Sequence, residues 1–344
     1  MTPYYQDDHA TLYNGNCLAV LESLPGESVN CCVTSPPYWG LRDYGTDSQL
    51  GLESTPDEFV ANLVDVFREV RRVLRDDGTA WLNLGDSYAA SSKGSGGTDK
   101  GTIANGAGQS SNVGSFYSSS FDLGAAGLKP KDLCGIPWRV AFALQADGWY
   151  LRQDIIWHKP NPMPESVTDR CTKAHEYIFL LTKSPRYWYD ADAVKEPATN
   201  VLDLELLRGR GVGGEDAEKV AWHAESIKKR QDAGVDSRTA GDGTRNRRSV
   251  WTVPTQPYSG AHFATFPPAL ITPCILAGCP KGGVVLDPFN GSGTTGEVAH
   301  AAGRKYIGVE LKAEYCDITL DRWRKPRVGQ DVTEGLDLFR EGNG

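Results

Sequence analysis

The chain has 344 residues, of which 40% are apolar, and a formal net charge of −8. Its length suffices for one large domain or two ordinary ones, and this apolar content can fill a hydrophobic core. No segment approaches the ~20 consecutive apolar residues that a membrane-spanning helix needs. The first residues include neither a basic region nor an apolar stretch, so we expect no secretory signal and a cytoplasmic protein.

The eight cysteines do not have the spacing of a metal site or of a disulfide framework. Cys31 and Cys32 are adjacent within an apolar run, and no C-x-x-C pair occurs. We therefore expect buried free thiols and no metal. The acidic balance is unusual for a protein that binds nucleic acid. It excludes little, because such binding depends on where basic residues cluster rather than on their sum.

Short apolar runs alternate with amphipathic segments along the chain, which predicts a parallel sheet flanked by helices. In the first part of the chain, the predicted elements are a strand over 29–34, a helix over 57–74 and strands over 79–84, 151–157 and 177–182, with a further helix over 138–146. In the last part, they are a helix over 268–277, a strand over 284–287, a helix from Thr294 and a strand over 306–310. Gly78 is predicted to end the helix over 57–74, and Gly303 is predicted to end the helix that begins at Thr294. Pro273 lies inside the helix over 268–277, so a kink or a late start is expected there.

Two polar regions interrupt this pattern. Residues 91–127 are rich in Gly and Ser, with few residues able to anchor a core, and we expect a flexible surface insertion. Residues 196–250 carry many basic residues with acids interleaved among them, a pattern that is also typical of a solvated face.

A glycine-rich run joins the predicted strand over 284–287 to the helix that follows. Gly291, Gly293 and Gly296 form a G-x-G-x-x-G, which lets the backbone turn tightly and approach a ligand. Glu310 ends the next predicted strand, where a carboxylate can accept hydrogen bonds from both ribose hydroxyls. The pattern alone fits NAD, FAD or S-adenosylmethionine, and a Walker loop is excluded because no G-K-[ST] follows. Asp287, at the strand end, is placed to meet the ammonium of a methionine group.

A second run, Ser35-Pro36-Pro37-Tyr38, follows the predicted strand over 29–34. Such a sequence also occurs in ordinary loops, but open α/β sheets bind ligands at the carboxyl ends of their strands. An exocyclic base amine is a poor nucleophile, because its lone pair is delocalised into the ring. The Ser35 hydroxyl and the Pro36 carbonyl can accept its hydrogens and free that pair, while Tyr38 offers a face on which an extruded base can stack.

Ser35-Pro36-Pro37-Tyr38 resembles the catalytic motif of amino-methylating DNA methyltransferases. The run Asp287-Pro288-Phe289-Asn290-Gly291-Ser292-Gly293-Thr294-Thr295 resembles their cofactor loop. The catalytic motif comes first, which is similar to the β group of that family. The resemblance implies a seven-stranded, Rossmann-like α/β fold that depends on S-adenosylmethionine, is circularly permuted, and carries a small target-recognition region.

Further segments resemble the same family. The segment that contains Asn16 and Cys17 resembles the part that reaches the cofactor adenine, although the family usually has Asp where this chain has Asn16. His262, Phe263 and Phe266 lie in a segment that resembles the one flanking the methionine part of the cofactor. The implied organisation is a catalytic half over 1–90 and 128–189 with the insertion over 91–127, a target-recognition region over 190–257, a cofactor-binding half over 258–325 and a C-terminal tail over 326–344.

The implied activity is methylation of an exocyclic amine of a flipped base in double-stranded DNA with a specific recognition sequence, as in restriction–modification systems. Serine at position 35 favours cytosine N4, and adenine N6 remains the alternative. Methylation of RNA or of a protein amide, and a catalytically silent nucleic-acid-binding relative, are further alternatives. The motif order and the region over 190–257 favour DNA, and the presence of both sites argues against a silent relative.

Several other residues invite a functional interpretation. His158 and His175 are expected to make structural hydrogen bonds rather than to act as bases. Lys159 and Arg42 are candidate phosphate contacts, although such residues on loops are usually only solvated. Cys274 follows a proline, as the nucleophile of C5-cytosine methyltransferases does, but its predicted helical setting argues against that role. The recognition sequence and the oligomeric state are not encoded in any motif.

Overall fold

The computed structural model describes residues 1–40, 49–89, 127–197, 244–256 and 266–324. The chain divides into two compact units, one formed by Met1–Asp190 with Arg248–Gly335, the other by Ala191–Arg247 with Leu336–Gly344. Apart from Gly127, the predicted insertion over 91–127 lies outside the described residues, and so does Arg42. Within the described ranges, no helix has the length and apolarity required to cross a bilayer.

The described elements alternate between strands and helices over most of the chain. The strands are β1 (Tyr5–Gln6), β2 (Ala10–Asn14), β3 (Val29–Thr34), β4 (Leu74–Leu84), β5 (Tyr150–His158), β6 (His175–Thr182), β7 (Glu196–Pro197), β8 (Thr244–Arg245), β9 (Val250–Thr252), β10 (Val284–Asp287) and β11 (Lys305–Glu310). The α-helices are α1 (Cys17–Ser23), α2 (Pro56–Val73), α3 (Ile136–Ala146), α4 (Pro268–Gly278), α5 (Thr294–Ala301) and α6 (Ala313–Arg324).

The first unit is built on one sheet with the strand order β1-β2-β11-β10-β3-β4-β6-β5-β9. Strands β2, β11, β10, β3 and β4 are parallel to their neighbours in that series, and β6 is antiparallel to both β4 and β5. The sheet has nine strands and not the seven that the resemblance implies, because the short strands β1 and β9 extend it at its two edges. Strand β10 comes late in the chain and β3 early, yet they are neighbours, which is the expected permuted arrangement.

Helix α2 shows why the amphipathic pattern was informative. Thr55 and Glu58 form a capping box at its start, and Phe59, Leu63 and Phe67 are among the residues of its buried face. The role predicted for Gly78 was wrong, because α2 ends at Val73 and β4 begins directly afterwards.

Gly78 lies inside β4, where a Cβ would come within 2.5 Å of the Leu74 side chain and 2.9 Å of the Asn30 carbonyl oxygen. Close packing in an irregular strand therefore accounts for this glycine.

Helix α4 contains Pro273 and nevertheless begins at Pro268, so the expected late start was wrong. Most of this helix is buried, including Cys274, and tertiary packing outweighs the lost backbone hydrogen bond. Gly303 follows α5 with φ of +69°, as predicted for a helix-terminating glycine. All eight cysteines are reduced thiols and six of them are buried, Cys17 and Cys171 being the more accessible ones.

The described residues of the second unit form a small antiparallel pair. Strands β7 and β8 pair Glu196 with Arg245 and Pro197 with Thr244. A short 3₁₀ turn over Asp192–Val194 precedes them, and the Arg245 guanidinium pairs with the Glu196 carboxylate at 2.9 Å.

Candidate active site

The two loops singled out in the sequence leave the sheet side by side. Strands β3 and β10 are parallel neighbours, so their carboxyl ends, Thr34 and Asp287, lie at the same edge. The Thr34 hydroxyl donates a hydrogen bond of 2.6 Å to Oδ1 of Asp287. The run that begins at Ser35 and the glycine loop after Asp287 therefore face one region at the edge of the sheet.

Asp287 is 2% exposed, and both carboxylate oxygens accept hydrogen bonds from within the protein. Besides Thr34, the Phe289 amide donates to Oδ1 at 3.0 Å and the Thr295 hydroxyl donates to Oδ2 at 2.6 Å. Burial raises the pKa of Asp287 to about 6, against the opposing effect of these donors. Contact with a cofactor ammonium would use the remaining lone pairs, and it stays a prediction.

The glycine loop needs its glycines for two physical reasons. Gly291 and Gly293 have φ of +54° and +77°, in the left-handed region, and Gly293 caps α5 without a side chain. At Gly296 a Cβ would lie 2.3 Å from the Trp323 ring, so only glycine lets α5 pack this closely. The start of α5 thus presents backbone without bulky side chains at the sheet edge.

Glu310 ends β11, the neighbour of β10, as the ribose-binding interpretation requires. Its carboxylate accepts the Gly291 amide at 2.8 Å and the Lys312 amide at 2.9 Å. Burial raises the pKa of Glu310 to about 7, an effect that these amides and the one of Leu311 oppose and that Asp287 adds to. Glu310 is 8% exposed and therefore belongs to the buried polar residues.

Asn290 holds this loop in place, a role that the sequence analysis missed. Its Oδ1 accepts the Tyr306 hydroxyl at 2.8 Å, and its Nδ2 donates to the Thr319 hydroxyl at 2.8 Å. The hydroxyl of Thr294 accepts a hydrogen bond from Arg322 at 2.9 Å, while that of Thr295 is bound to Asp287. The hydroxyl groups of Thr294 and Thr295 therefore both form hydrogen bonds to other side chains of the protein.

The other candidate cofactor residues lie at varied places. Asn16 caps α1, with Oδ1 accepting the amides of Leu18 and Ala19 at 3.0 and 3.3 Å. Cys17 is half-buried, and burial raises the pKa of its thiol to about 11. Phe266 is half-buried just before α4. His262 and Phe263 fall outside the described residues.

The position of Asn16 follows from the sheet. Strand β2 pairs with β11 so that Asn14 lies opposite Glu310. Asn16 therefore comes directly after a strand end beside Glu310, and its predicted adenine contact stays a prediction.

The catalytic motif is anchored through Tyr38. Its hydroxyl donates to Oε2 of Glu176 at 2.8 Å and is 3.2 Å from Oδ1 of Asn83. The Ser35 hydroxyl donates to the Tyr38 oxygen at 3.4 Å. Burial and the Glu176 charge raise the pKa of Tyr38 well above its usual range, so the phenol stays neutral. The Tyr38 ring also lies against Gly85, where a Cβ would come within 2.6 Å of it.

Asn83 and Glu176 are polar residues that the sequence analysis did not identify as part of the site. Both lie where strands meet the carboxyl edge, Asn83 near the end of β4 and Glu176 near the start of the antiparallel β6. The signal that could have found them is a polar side chain at a strand terminus beside the predicted motif.

The other candidates make structural contacts. Lys159 pairs with Glu176, and its Nζ lies 4.2 Å from the centre of the Trp157 ring. Nδ1 of His158 is 3.1 Å from the Thr252 hydroxyl oxygen, and His175 packs edge-on against Tyr177.

The edge of the sheet fits a cationic, ribose-bearing cofactor. Two buried carboxyl groups, Asp287 and Glu310, lie at this edge, and burial raises the pKa of both. Their carboxylates would complement a ligand with a sulfonium and an ammonium, and Glu310 can accept hydrogen bonds from ribose. This permuted, Rossmann-like sheet with its two loops is thus that of an S-adenosylmethionine-dependent methyltransferase.

Comparison with known proteins assigns the class more closely. The chain matches the DNA methylase family over residues 29–321. It is 49% identical to the type II methyltransferase M.Cfr9I of Citrobacter freundii, covering 91% of this chain and 87% of that protein. It is 47% identical, with the same coverage, to the type II methyltransferase M.XycI of Xanthomonas campestris pv. cyanopsidis. The chain belongs to this family of amino-methylating DNA methyltransferases and uses S-adenosylmethionine, as the motifs predicted.

Solved structures confirm the fold. The PvuII DNA methyltransferase (cytosine-N4-specific) has a TM-score of 0.60 and 18% identity, over 98% of this chain and 94% of that one. A putative DNA modification methylase from Thermus thermophilus, complexed with S-adenosyl-L-methionine, has a TM-score of 0.52 and 23% identity, over 94% and 97% of the chains.

Proposed function

We propose that this DNA methyltransferase modifies N4 of cytosine at a specific recognition sequence in double-stranded DNA. The observation that carries the choice of base is Ser35 at the head of the catalytic motif, at the carboxyl end of β3 and beside the glycine loop. The relatives M.Cfr9I and M.XycI are type II methyltransferases, which supports action at a defined sequence. The PvuII enzyme shares the fold alone, so its cytosine specificity adds nothing to the choice.

The chain's part in the reaction is to hold the amine in a fixed orientation. The target base leaves the duplex and stacks on the ring of Tyr38. Its amino hydrogens are accepted by the Ser35 hydroxyl and the Pro36 carbonyl, so the nitrogen lone pair is released from the ring. Pro36 and Pro37 fix the loop backbone, which keeps these two acceptors in place before the base arrives.

Other residues would hold the cofactor. Glu310 accepts the ribose hydroxyls, Asn16 and Cys17 border the adenine, and the turn of Gly291 and Gly293 lets the backbone approach. The aromatic side chains of Phe266 and Phe289, with His262 and Phe263, flank the methionine part, next to Asp287, Pro288, Thr294 and Thr295. When bound, S-adenosylmethionine supplies an electrophilic methyl group on a sulfonium. The chain would hold the amine nitrogen in a fixed orientation towards that carbon, so that transfer would form the N–C bond, break the S–C bond with S-adenosylhomocysteine as the leaving group, and release one amine proton.

The second compact unit supplies the contacts to base edges in this proposal. The range predicted for the target-recognition region, 190–257, includes Ala191–Arg247 of that unit. Basic residues are frequent there, as phosphate contacts require. We place the protein in the cytoplasm, where bacterial DNA is accessible to it.

The test is mass spectrometry of nucleosides from DNA treated with the protein and S-adenosylmethionine. 4-Methylcytosine is the expected product, and 6-methyladenine would keep the mechanism but overturn the choice of base. Ser35→Ala should lower turnover by about 100-fold or more, because it removes one of two preorganised acceptors. Ser28→Ala is a matched control, since the Ser28 hydroxyl donates to the nearby Pro25 carbonyl just before the opposite end of β3.

A panel of duplex DNA, RNA and protein substrates separates the alternatives. Methylation of RNA or of a protein amide without methylation of DNA would overturn the proposal. Cofactor binding without any methylated product on varied DNA would favour a silent relative.

A further inference from the structure

The hydrogen bonds around the catalytic motif form a chain with a defined direction. The Ser35 hydroxyl is 3.4 Å from the Tyr38 oxygen, and that phenol is 2.8 Å from Oε2 of Glu176. A phenol has a single hydrogen, and an ionised carboxylate can only accept. The Tyr38 hydrogen is therefore directed to Glu176, and the phenol oxygen is left to accept from Ser35.

Asn83 enforces the same direction. Its Nδ2 donates to the Tyr177 carbonyl at 3.0 Å and lies 3.3 Å from Oε2 of Glu176. A flipped amide would set its oxygen against that carbonyl, so Oδ1 of Asn83 must face the phenol at 3.2 Å. Both neighbours of the Tyr38 hydroxyl, other than Ser35, are then acceptors. The phenol hydrogen therefore points to one of these two acceptors and not to Ser35.

This direction matters because a serine hydroxyl can either donate or accept. If its hydrogen pointed at the target base, it would face the amino hydrogens and repel them. With its hydrogen committed to Tyr38, Ser35 has only lone pairs left for the amine. The role proposed for Ser35 thus depends on the direction of the hydrogen bonds that Tyr38 makes.

Glu176 is the fixed end of this series of hydrogen bonds. Lys159 forms an ion pair with its other oxygen, and the two side chains are 18% and 16% exposed. The Lys159 ammonium rests on the ring of Trp157, whose indole donates to the Val253 carbonyl at 2.8 Å. The carboxylate is therefore held through both of its oxygens, one by Lys159 and one by Tyr38.

We propose that Glu176 is a positioning residue for methyl transfer, which acts through Tyr38 to keep the Ser35 hydroxyl an acceptor for the target amine. This inference rests on the proposed role of Ser35. In this inference Glu176 acts on the reaction through the phenol hydrogen of Tyr38 and not by contact with the base or the cofactor.

The test is a double-mutant cycle on the single-turnover rate at saturating DNA and cofactor. Glu176→Gln introduces an amide donor that can reverse the direction of the hydrogen bonds from Ser35 through Tyr38. It should lower the methylation rate about 10- to 100-fold, the range for a lost hydrogen bond to a charged group. Tyr38→Phe removes the hydroxyl that links Ser35 to Glu176, and it should lower the methylation rate by a similar factor. In the Tyr38→Phe background, Glu176→Gln should change the rate less than about twofold.

Glu165→Gln is the matched control. Glu165 pairs with Arg170 in the connection between β5 and β6, with side chains 20% and 23% exposed, and its carboxylate is bound there rather than at Tyr38. This variant should keep its rate, and all variants should keep the wild-type affinity for S-adenosylmethionine. An equal loss from Glu176→Gln with and without the Tyr38 hydroxyl would mean a merely structural role and would overturn the inference.

The failure of the proposed function is distinguishable from the failure of this inference. If Ser35→Ala keeps the full rate, the role of Ser35 has failed. If the enzyme depends on Ser35 but Glu176→Gln methylates at the wild-type rate, or if Tyr38→Phe loses far more than Glu176→Gln, only the positioning role is overturned. The cycle follows whichever methylated base the wild type forms, so it does not depend on the choice of cytosine.

Discussion

The Thr34 hydroxyl and the Asp287 carboxylate, 253 positions apart in the chain, share a hydrogen bond of 2.6 Å at the buried edge of the sheet. Thr34 is the last residue before the catalytic motif, and Asp287 opens the cofactor loop. The bond therefore joins the two loops directly at their origins. The Thr34 hydroxyl is also one of three internal donors to the Asp287 carboxyl group, whose ionised form is destabilised by burial.

Removing this donor should destabilise the protein in a pH-dependent way. Thr34→Val keeps the shape of the side chain and should lower the free energy of unfolding by about 1–3 kcal/mol. The loss of a donor raises the pKa of Asp287 further above its present value of about 6. For a carboxyl whose folded pKa is raised, stability falls as pH rises from the unfolded towards the folded pKa. The deficit should therefore be larger at pH 8 than at pH 5.

Urea unfolding of Thr34→Val at both pH values measures this difference. Thr34→Ser is the control, because it retains the hydroxyl and should stay close to the wild type at both. A deficit of the same size at pH 5 and pH 8 would show that Asp287 does not respond to Thr34.

Gly85 offers a way to displace the catalytic tyrosine without touching its hydrogen-bonding groups. A Cβ at this position would lie 2.6 Å from Cε2 of Tyr38 and 3.1 Å from Cδ2, so the ring must move. Gly85→Ala should lower the methylation rate at least about tenfold and the stability by about 1–3 kcal/mol. Cofactor affinity, measured by calorimetry, should be unchanged, because Tyr38 belongs to the other loop.

Gly26→Ala is the matched control for this substitution. A Cβ there meets the Arg72 carbonyl at 3.6 Å, an ordinary contact. If Gly85→Ala methylates at the wild-type rate while remaining folded, the orientation of the Tyr38 ring is not critical to the reaction.

The parts of the fold that follow from local chemistry were predictable from the sequence. Strand β3, strand β10 and the end of β11 were placed correctly, because each is an apolar run that stops at a polar or glycine-rich loop. Gly78 was misassigned because a glycine after an amphipathic helix is a common stop signal. Here the irregular pairing of β3 with β4, from Val29–Leu74 to Cys31–Thr79, determines its place instead.

The contacts within the site were harder to predict. Glu176 and Asn83 reach Tyr38 from β6 and β4, and nothing in the local sequence of these strands specifies that meeting. Likewise, Asp287 was interpreted by its position beside a cofactor, whereas its oxygens bind Thr34 and Thr295. Such pairings depend on strand order, which a single sequence without the sheet topology does not provide.

Glu310 should make cofactor binding depend on pH near neutrality. Its pKa is raised to about 7 by burial, so a large share of the free protein carries a protonated carboxyl at pH 6. Only the carboxylate can accept hydrogen bonds from both ribose hydroxyls, and it also attracts a cationic ligand. Affinity for S-adenosylmethionine should therefore increase as pH rises, by about tenfold between pH 6 and pH 8.

Calorimetric titrations across this range, with S-adenosylhomocysteine as a second ligand, test the assignment. Glu310→Gln should bind more weakly at pH 8 and lose most of the pH dependence, whereas Glu314→Gln, on the exposed start of α6, should behave as the wild type. S-adenosylhomocysteine, whose thioether sulfur is uncharged, should keep the part of the pH dependence of affinity that comes from the ribose hydroxyls. It should lose the part that is due to the sulfonium charge. A wild-type affinity that is flat from pH 6 to pH 8 would place the titrating carboxyl away from the cofactor.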